Sequence, residues 1–168
     1  MRRKKTHSRR VMGVAVAVRS LAYYVAEAPM FASEWGIRHI GSNTNAEAMD
    51  KVRDLLKWVR PDVVVLEDYA GIGSRRCARV QRLIRAIARL ATQLRIRVVG
   101  YSRGIIRKCF ADFGVYTKYD IAKVLANMVP YLARHLPARK RKPWESERRD
   151  MALFDAAALV AAYYRMRE

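Results

Sequence analysis

The sequence predicts an α/β fold in which a mixed β-sheet is flanked by helices. Three observations predict it. Three apolar segments near the N-terminus are joined by short connections, continuous apolar runs then alternate with helix-period segments, and no repeat or linker divides the 168 residues. Strands joined by tight turns pair antiparallel, whereas strands separated by a helix return parallel. The length suits one domain with a proper core. The expected organisation is a basic N-terminal arm over 1–10 and a single domain over 11–168, with a basic loop at 138–149.

Val11 to Val18 is rich in valine and bounded by charge, which reads as a buried strand. Leu21 to Ala26 follows a tight turn near Arg19-Ser20, and Glu34 to Ile40 alternates as a third strand. Gly41-Ser42-Asn43-Thr44-Asn45 is a turn able to cap a helix, and Met49, Val52, Leu56 and Val59 recur at helical spacing. After Pro61, Val63 to Leu66 is a continuous apolar run of the kind found in strands covered on both faces, and it ends in Glu67-Asp68. From about Arg75 to Leu94, steps of about 100° gather Val80, Leu83, Ile84, Ile87, Ala91 and Leu94 on one face. Arg75, Arg79, Arg82, Arg85 and Arg89 fall on the other. Ile96 to Tyr101 predicts a further strand, and Gly104 to Phe110 a short helix. Thr117-x-x-Asp120 has the spacing of a helix cap before Ile121, Val124, Leu125 and Met128. A closing helix carries Phe154, Ala157, Ala158, Ala161 and Tyr164.

Charge narrows the function. There are 34 Lys and Arg against 15 Asp and Glu, a formal net charge of +19. Such a surplus strains the folded chain by self-repulsion, so a polyanionic partner is expected, first of all nucleic acid. An anionic membrane surface or a ribosome-like assembly is the alternative. No apolar run is long enough to span a bilayer. The opening Met1 to Lys5 and the apolar segment after it only imitate a signal peptide, and an Arg-rich transit peptide is a weaker reading. Two cysteines far apart, Cys77 and Cys109, argue against a disulfide framework or cysteine zinc site. A cytoplasmic setting is expected, nucleoid-associated if the source is bacterial. The arginine face of the 75–94 helix carries no interleaved acid, unlike a merely soluble helix, and is read as phosphate-binding. Arg75, Arg76, Arg79, Arg82, Arg103 and Lys118 are candidate phosphate contacts. Trp144, in the basic Lys140-Arg141-Lys142-Pro143-Trp144 segment, is a candidate platform for an unpaired base. Trp35, Trp58 and Tyr23 are expected in the core.

A basic chain that places carboxylates at strand ends suggests metal-assisted phosphodiester cleavage, in which two Mg²⁺ ions about 3.5–4 Å apart activate water and stabilise the leaving oxygen. Mg²⁺ takes hard oxygen ligands. Glu67 and Asp155 are the leading candidates for metal binding and catalysis, with Asp150, Asp68 and Glu147 as auxiliaries.

Val63-Val64-Val65-Leu66-Glu67-Asp68, then Tyr101-Ser102-Arg103, then Asp155-Ala156-Ala157-Ala158-Leu159 resemble the RuvC-type Holliday-junction resolvases, in order and spacing, from about Val11 to Tyr164. Glu34-Trp35-Gly36 and the basic stretch before the last helix resemble an uncharacterised branch of them. The resemblance implies a ribonuclease H-like fold, Mg²⁺- or Mn²⁺-dependent two-metal cleavage of branched DNA or other structured nucleic acid, and often a homodimer. By position, Glu67 would be the metal-binding acid of the central strand and Asp155 the carboxylate of the final helix. Two family positions depart. The strand-one Asp, in a pattern like Gly-Ile-Asp-Pro-Gly-Ser, is here Ala15, and the carboxylate or His three residues before the final Asp is Ala152. Asp150 replaces the latter only if the helix starts after it, since five residues along a helix turn about 140°. The leading reading is a metal-dependent, structure-specific endonuclease on branched DNA, with Glu67 and Asp155 holding metal or catalysis using a different acidic set, or a variant of it inactivated at Ala15. The alternative is a catalytically inactive nucleic-acid-binding module or subunit of a nucleoprotein complex. The neighbouring Val16, Ala17 and Val18 favour natural divergence over an engineered change. A basic assembly protein with no site is the plainest alternative.

Overall fold

The structure, a computed structural model, describes residues 9–41, 44–71 and 75–168. Most of the basic arm and the Ser42-Asn43 part of the expected capping turn lie outside the described residues. The strands are β1 (Val11–Val16), β2 (Ser20–Ala28), β3 (Phe31–His39), β4 (Val63–Glu67) and β5 (Arg97–Tyr101). They form a sheet in the order β3-β2-β1-β4-β5. β1 pairs antiparallel with β2 and parallel with β4. β2 and β3 are antiparallel, and β4 and β5 parallel. The expected mixed sheet is therefore present, its antiparallel half leading and its parallel half following.

Helices α1 (Asn45–Val59) and α2 (Ala78–Gln93) cover one face. Helices α3 (Arg103–Phe110), α4 (Lys118–Met128) and α5 (Asp150–Arg165) cover the other. Strand periodicity divides β1 between them: Met12, Val14 and Val16 join the core under α1 and α2, while Val11 and Ala15 join the core under α5. Every β1 residue is consequently buried, which is why this strand reads as an unbroken apolar run. Gly13 permits the close approach of α5. A Cβ there would lie 2.3 Å from the Ala156 carbonyl oxygen. Helix α5 is buried nearly all round, as a helix between a sheet and other helices must be.

Boundaries differ from expectation where tertiary hydrogen bonds decide them. β1 ends at Val16 because Ala17 N–H donates to the Ser20 carbonyl at 2.9 Å, closing the hairpin and leaving Val18 exposed. α2 begins at Ala78, three residues later than the periodicity suggests, because Cys77 at its N-cap is extended. Arg75 and Arg76 thus precede the helix and are not bound to its arginine face. α1 stops at Arg60, whose left-handed φ of 50° lets its N–H bond the Leu56 carbonyl before Pro61. The Thr117 hydroxyl caps α4, accepting from Asp120 N–H at 3.2 Å and donating to Asp120 Oδ2 at 2.7 Å. Tyr23 is buried and Trp35 stacks on Tyr131 with ring centroids 5.4 Å apart. Trp58 corrects the expectation of a third core aromatic: it is 59% exposed, on the solvent side of α1.

Candidate functional site

Open α/β sheets place ligand sites at the carboxyl ends of their parallel strands. Here those ends belong to β1, β4 and β5, and side chains from three helices meet them. Ala15 and Val16 come from β1, Glu67 closes β4, and Arg103 opens α3 directly after β5. Lys118 is the first residue of α4, and Asp155 lies one and a half turns into α5. All six line one cleft, together with Arg76 and Arg107. The cleft holds about 60 Å³, room for a few water molecules.

Its charges, the exposed Arg107 apart, are paired internally. Glu67, whose side chain is only 10% exposed, accepts from Arg76 Nε at 2.6 Å through Oε2 and from Arg103 Nε at 3.2 Å through Oε1. Lys118 Nζ bridges Asp155 Oδ2 at 3.1 Å and Glu147 Oε1 at 2.8 Å. Burial pushes the Asp155 carboxyl above its usual range, and the charges of Lys118 and Arg103 offset this only in part. Glu147 is also desolvated, but the charge and hydrogen bond of Lys118, helped by Arg103 and Arg141, hold its carboxyl below the usual range. One lysine is shared by two carboxylates, and the more deeply buried of them bears the desolvation.

The remaining acids are elsewhere. Asp150 is the first residue of α5, so the condition for its taking the place of Ala152 is not met. It lies 3.7 Å from His135 Nδ1 and 3.8 Å from Arg148 Nη2 and does not line the cleft. Asp68 folds back on its own loop, its Oδ1 accepting from Ala70 N–H at 3.1 Å. Glu147 joins the cluster through its ion pair with Lys118.

The basic residues divide in a way the sequence does not reveal. Arg76, Arg103 and Lys118, expected as phosphate contacts, are turned onto carboxylates. Arg79 is turned inward, donating to the Val18 carbonyl and reaching Asn45 Oδ1 at 3.5 Å, and so ties the β1–β2 turn to α1 and α2. Arg75 and Arg82 are exposed, as are Lys140, Arg141, Lys142 and Trp144. Trp144 is 78% exposed with Lys142 Nζ 5.4 Å from its ring centroid. The loop carrying it is fixed by Glu145, which accepts from Arg139 at 2.7 and 2.9 Å and from Lys142 N–H at 2.9 Å. That carboxyl is pulled down to about 2, first by the Arg139 hydrogen bond and then by Lys142 N–H. Arg107 and Arg139 carry no sequence signal as strong as the arginine face of α2. The signal for Arg107 is its position four residues after Arg103, on the same face of α3.

A sheet of three antiparallel and two further parallel strands, with a terminal helix carrying an acid across its central strand, defines the ribonuclease H-like class, and within it the chain has the fold of RuvC-type Holliday-junction resolvases. It superposes on RuvC of Thermus thermophilus with a TM-score of 0.67 at 15% identity, covering 94% of this chain and 95% of that one. The structure of T. thermophilus RuvC in complex with a Holliday junction substrate gives 0.64 at 15% identity, covering 95% and 94%. The yeast mitochondrial Holliday junction resolvase Ydc2 gives 0.60 at 13% identity, covering 94% and 80%. No protein-family model and no curated protein matches the sequence.

The resemblance implies two divalent ions, and the residues present do not fit them. Among the described residues no group of three or more His, Cys, Asp or Glu is placed to hold a metal. The two positions where the family pattern has further ligands are Ala15 and Ala152, and the carboxylates that remain already meet three side-chain cations. Two Mg²⁺ ions would add four positive charges to a cluster whose four cations already outnumber its three carboxylates. At an effective dielectric of about 20, each pair of like unit charges about 4 Å apart costs about 4 kcal/mol.

Proposed function

We propose that this chain binds branched DNA through a cationic surface that starts at the cleft and runs along the outer face of α2. The observation that carries this reading is the contrast between paired and unpaired arginines. Arg76, just before α2, enters the cleft, whereas Arg82, Arg85 and Arg89 stand exposed on the helix and form no ion pair among the described residues. A helix rises about 1.5 Å per residue, so these three span about 10 Å, enough to follow successive phosphates of a strand. The fold supports a branched rather than a linear partner, since its solved likenesses include a RuvC seated on a Holliday junction. The exposed Lys140, Arg141, Lys142 and Trp144 extend the surface to a loop where an unpaired base at a branch point can stack.

The test compares a four-way junction with linear duplex of the same arm sequence across a salt series. Tighter binding to the junction is expected, with a steep salt dependence. Replacing Arg82, Arg85 and Arg89 by Gln lowers the slope by up to about 2.7 units, at about 0.9 for each phosphate that is no longer neutralised. Equal affinity for junction and duplex, or an unchanged slope in the triple variant, overturns the reading.

A further inference from the structure

We infer that Arg76, Arg103 and Lys118 serve in this cleft as built-in substitutes for divalent ions, so that the chain grips a junction without metal and without cutting it. This rests on the branched-DNA reading and specifies the chemistry of its centre.

Three observations lead to it. First, each Glu67 oxygen is already engaged, one by Arg76 at 2.6 Å and the other by Arg103 at 3.2 Å. Each oxygen keeps a second lone pair, but a metal arriving there would lie against a fixed guanidinium charge. Guanidinium does not lose its proton in proteins, so these two positive charges are permanent. Second, Lys118 spans Asp155 and Glu147, holding together carboxylates from α5 and from the preceding loop, a joining role that a bridging cation otherwise performs. Third, Ala15 faces this cleft from β1, and its methyl group supplies no ligand. Loss of ligands alone would leave Glu67 and Asp155 as partly buried acids without counter-charge, a costly arrangement. The cations come from three separate segments, the turn before α2, the start of α3 and the start of α4. The cleft therefore supplies its own cations, which with Arg107 outnumber its three carboxylates.

The inference predicts how the cleft responds to metal and to restored ligands. Manganese is the probe, followed by the loss of its free electron-spin-resonance signal as the full-length chain is added. The wild type is expected to leave the signal of millimolar Mn²⁺ unchanged, to bind a four-way junction in EDTA at least as tightly as in Mg²⁺, and to leave the junction uncut. Stoichiometric uptake of Mn²⁺, or cleavage of the junction, by the wild-type protein overturns it. A variant pair separates missing ligands from built-in cations. Ala15→Asp with Ala152→Asp is expected to take up Mn²⁺ at least about tenfold more weakly than the same protein also carrying Arg76→Gln and Arg103→Gln, since each removed charge relieves repulsion. Equal uptake by the two variants, both folded by circular dichroism, means that the arginines do not exclude metal and overturns the substitution. The Mn²⁺-uptake readings need no DNA, so a failure of junction selectivity and a failure of this inference are told apart.

Discussion

Glu145 shows how one half-buried carboxylate can organise a loop. It receives both terminal nitrogens of Arg139 and the Lys142 N–H, and so closes the segment that displays Trp144. Its carboxyl titrates near 2 in the folded chain against its usual 4.5. A lowered folded value means that the contribution to loop order is complete above 4.5 and is lost as pH falls towards 2. In a protein whose single tryptophan is Trp144, made by Trp35→Phe with Trp58→Phe, the emission should change through that acid window. The change should be absent when Glu145→Gln is added. A transition that survives Glu145→Gln would place the loop's acid sensitivity elsewhere. Asp155 responds in the opposite sense. Its raised value favours the protonated form on folding, an advantage present at low pH and lost as pH rises through the folded value.

Among the elements, β1 and α5 matter most, because their contact holds Ala15 and Asp155 in one cleft. That contact depends on Gly13, whose absent side chain would otherwise meet the Ala156 carbonyl at 2.3 Å and Val160 Cγ2 at 2.9 Å. The first obstacle is helix backbone, which cannot rotate aside. Gly13→Ala is therefore expected to destabilise the protein by about 3 kcal/mol, read as a lower urea midpoint at unchanged slope. An unchanged midpoint would mean that α5 does not seat as closely as described. The elements themselves were legible in the sequence because each carries its own period: two in β3, near 3.6 in α1 and α2, and an unbroken apolar run in β1 and β4. Their ends were less legible. The start of α2 and the end of β1 are set by hydrogen bonds and backbone angles at Cys77 and Ala17, which leave no mark in a hydrophobic pattern. The cleft was legible in part. Strand order brings Glu67 and Asp155 to one place, as the resemblance implies, and the turn of a helix excludes Asp150 once its start is known. That Arg76, Arg103 and Lys118 face inward was not legible. An arginine that binds phosphate and one that neutralises a neighbouring acid are the same letter, and only the fold brings the acid near.

Over the whole molecule, the formal charge of +19 has two consequences that salt drives in opposite directions. Among the described residues the positive surplus is not cancelled locally, because the ion pairs consume most of the acids while many arginines and lysines remain exposed. Like charges spread over one surface repel across the solvent, and that repulsion is screened over about 10 Å at 0.1 M salt and about 3 Å at 1 M. The folded chain, which concentrates its charges more than the unfolded one does, should therefore gain stability as salt is added. The cleft opposes this only weakly, because its pairs are partly buried and in contact, where screening has little effect. DNA binding runs the other way, since its driving force is the release of counterions and each phosphate contact is weakened by added salt. The expected outcome is a melting temperature that rises between about 0.05 and 0.5 M NaCl while junction affinity falls steeply over the same interval. Scanning calorimetry and a salt titration of binding on one preparation check both arms. A melting temperature that falls with salt would show that attractive surface pairs outweigh the surplus. The repulsion would then no longer account for a surface made to hold a polyanion.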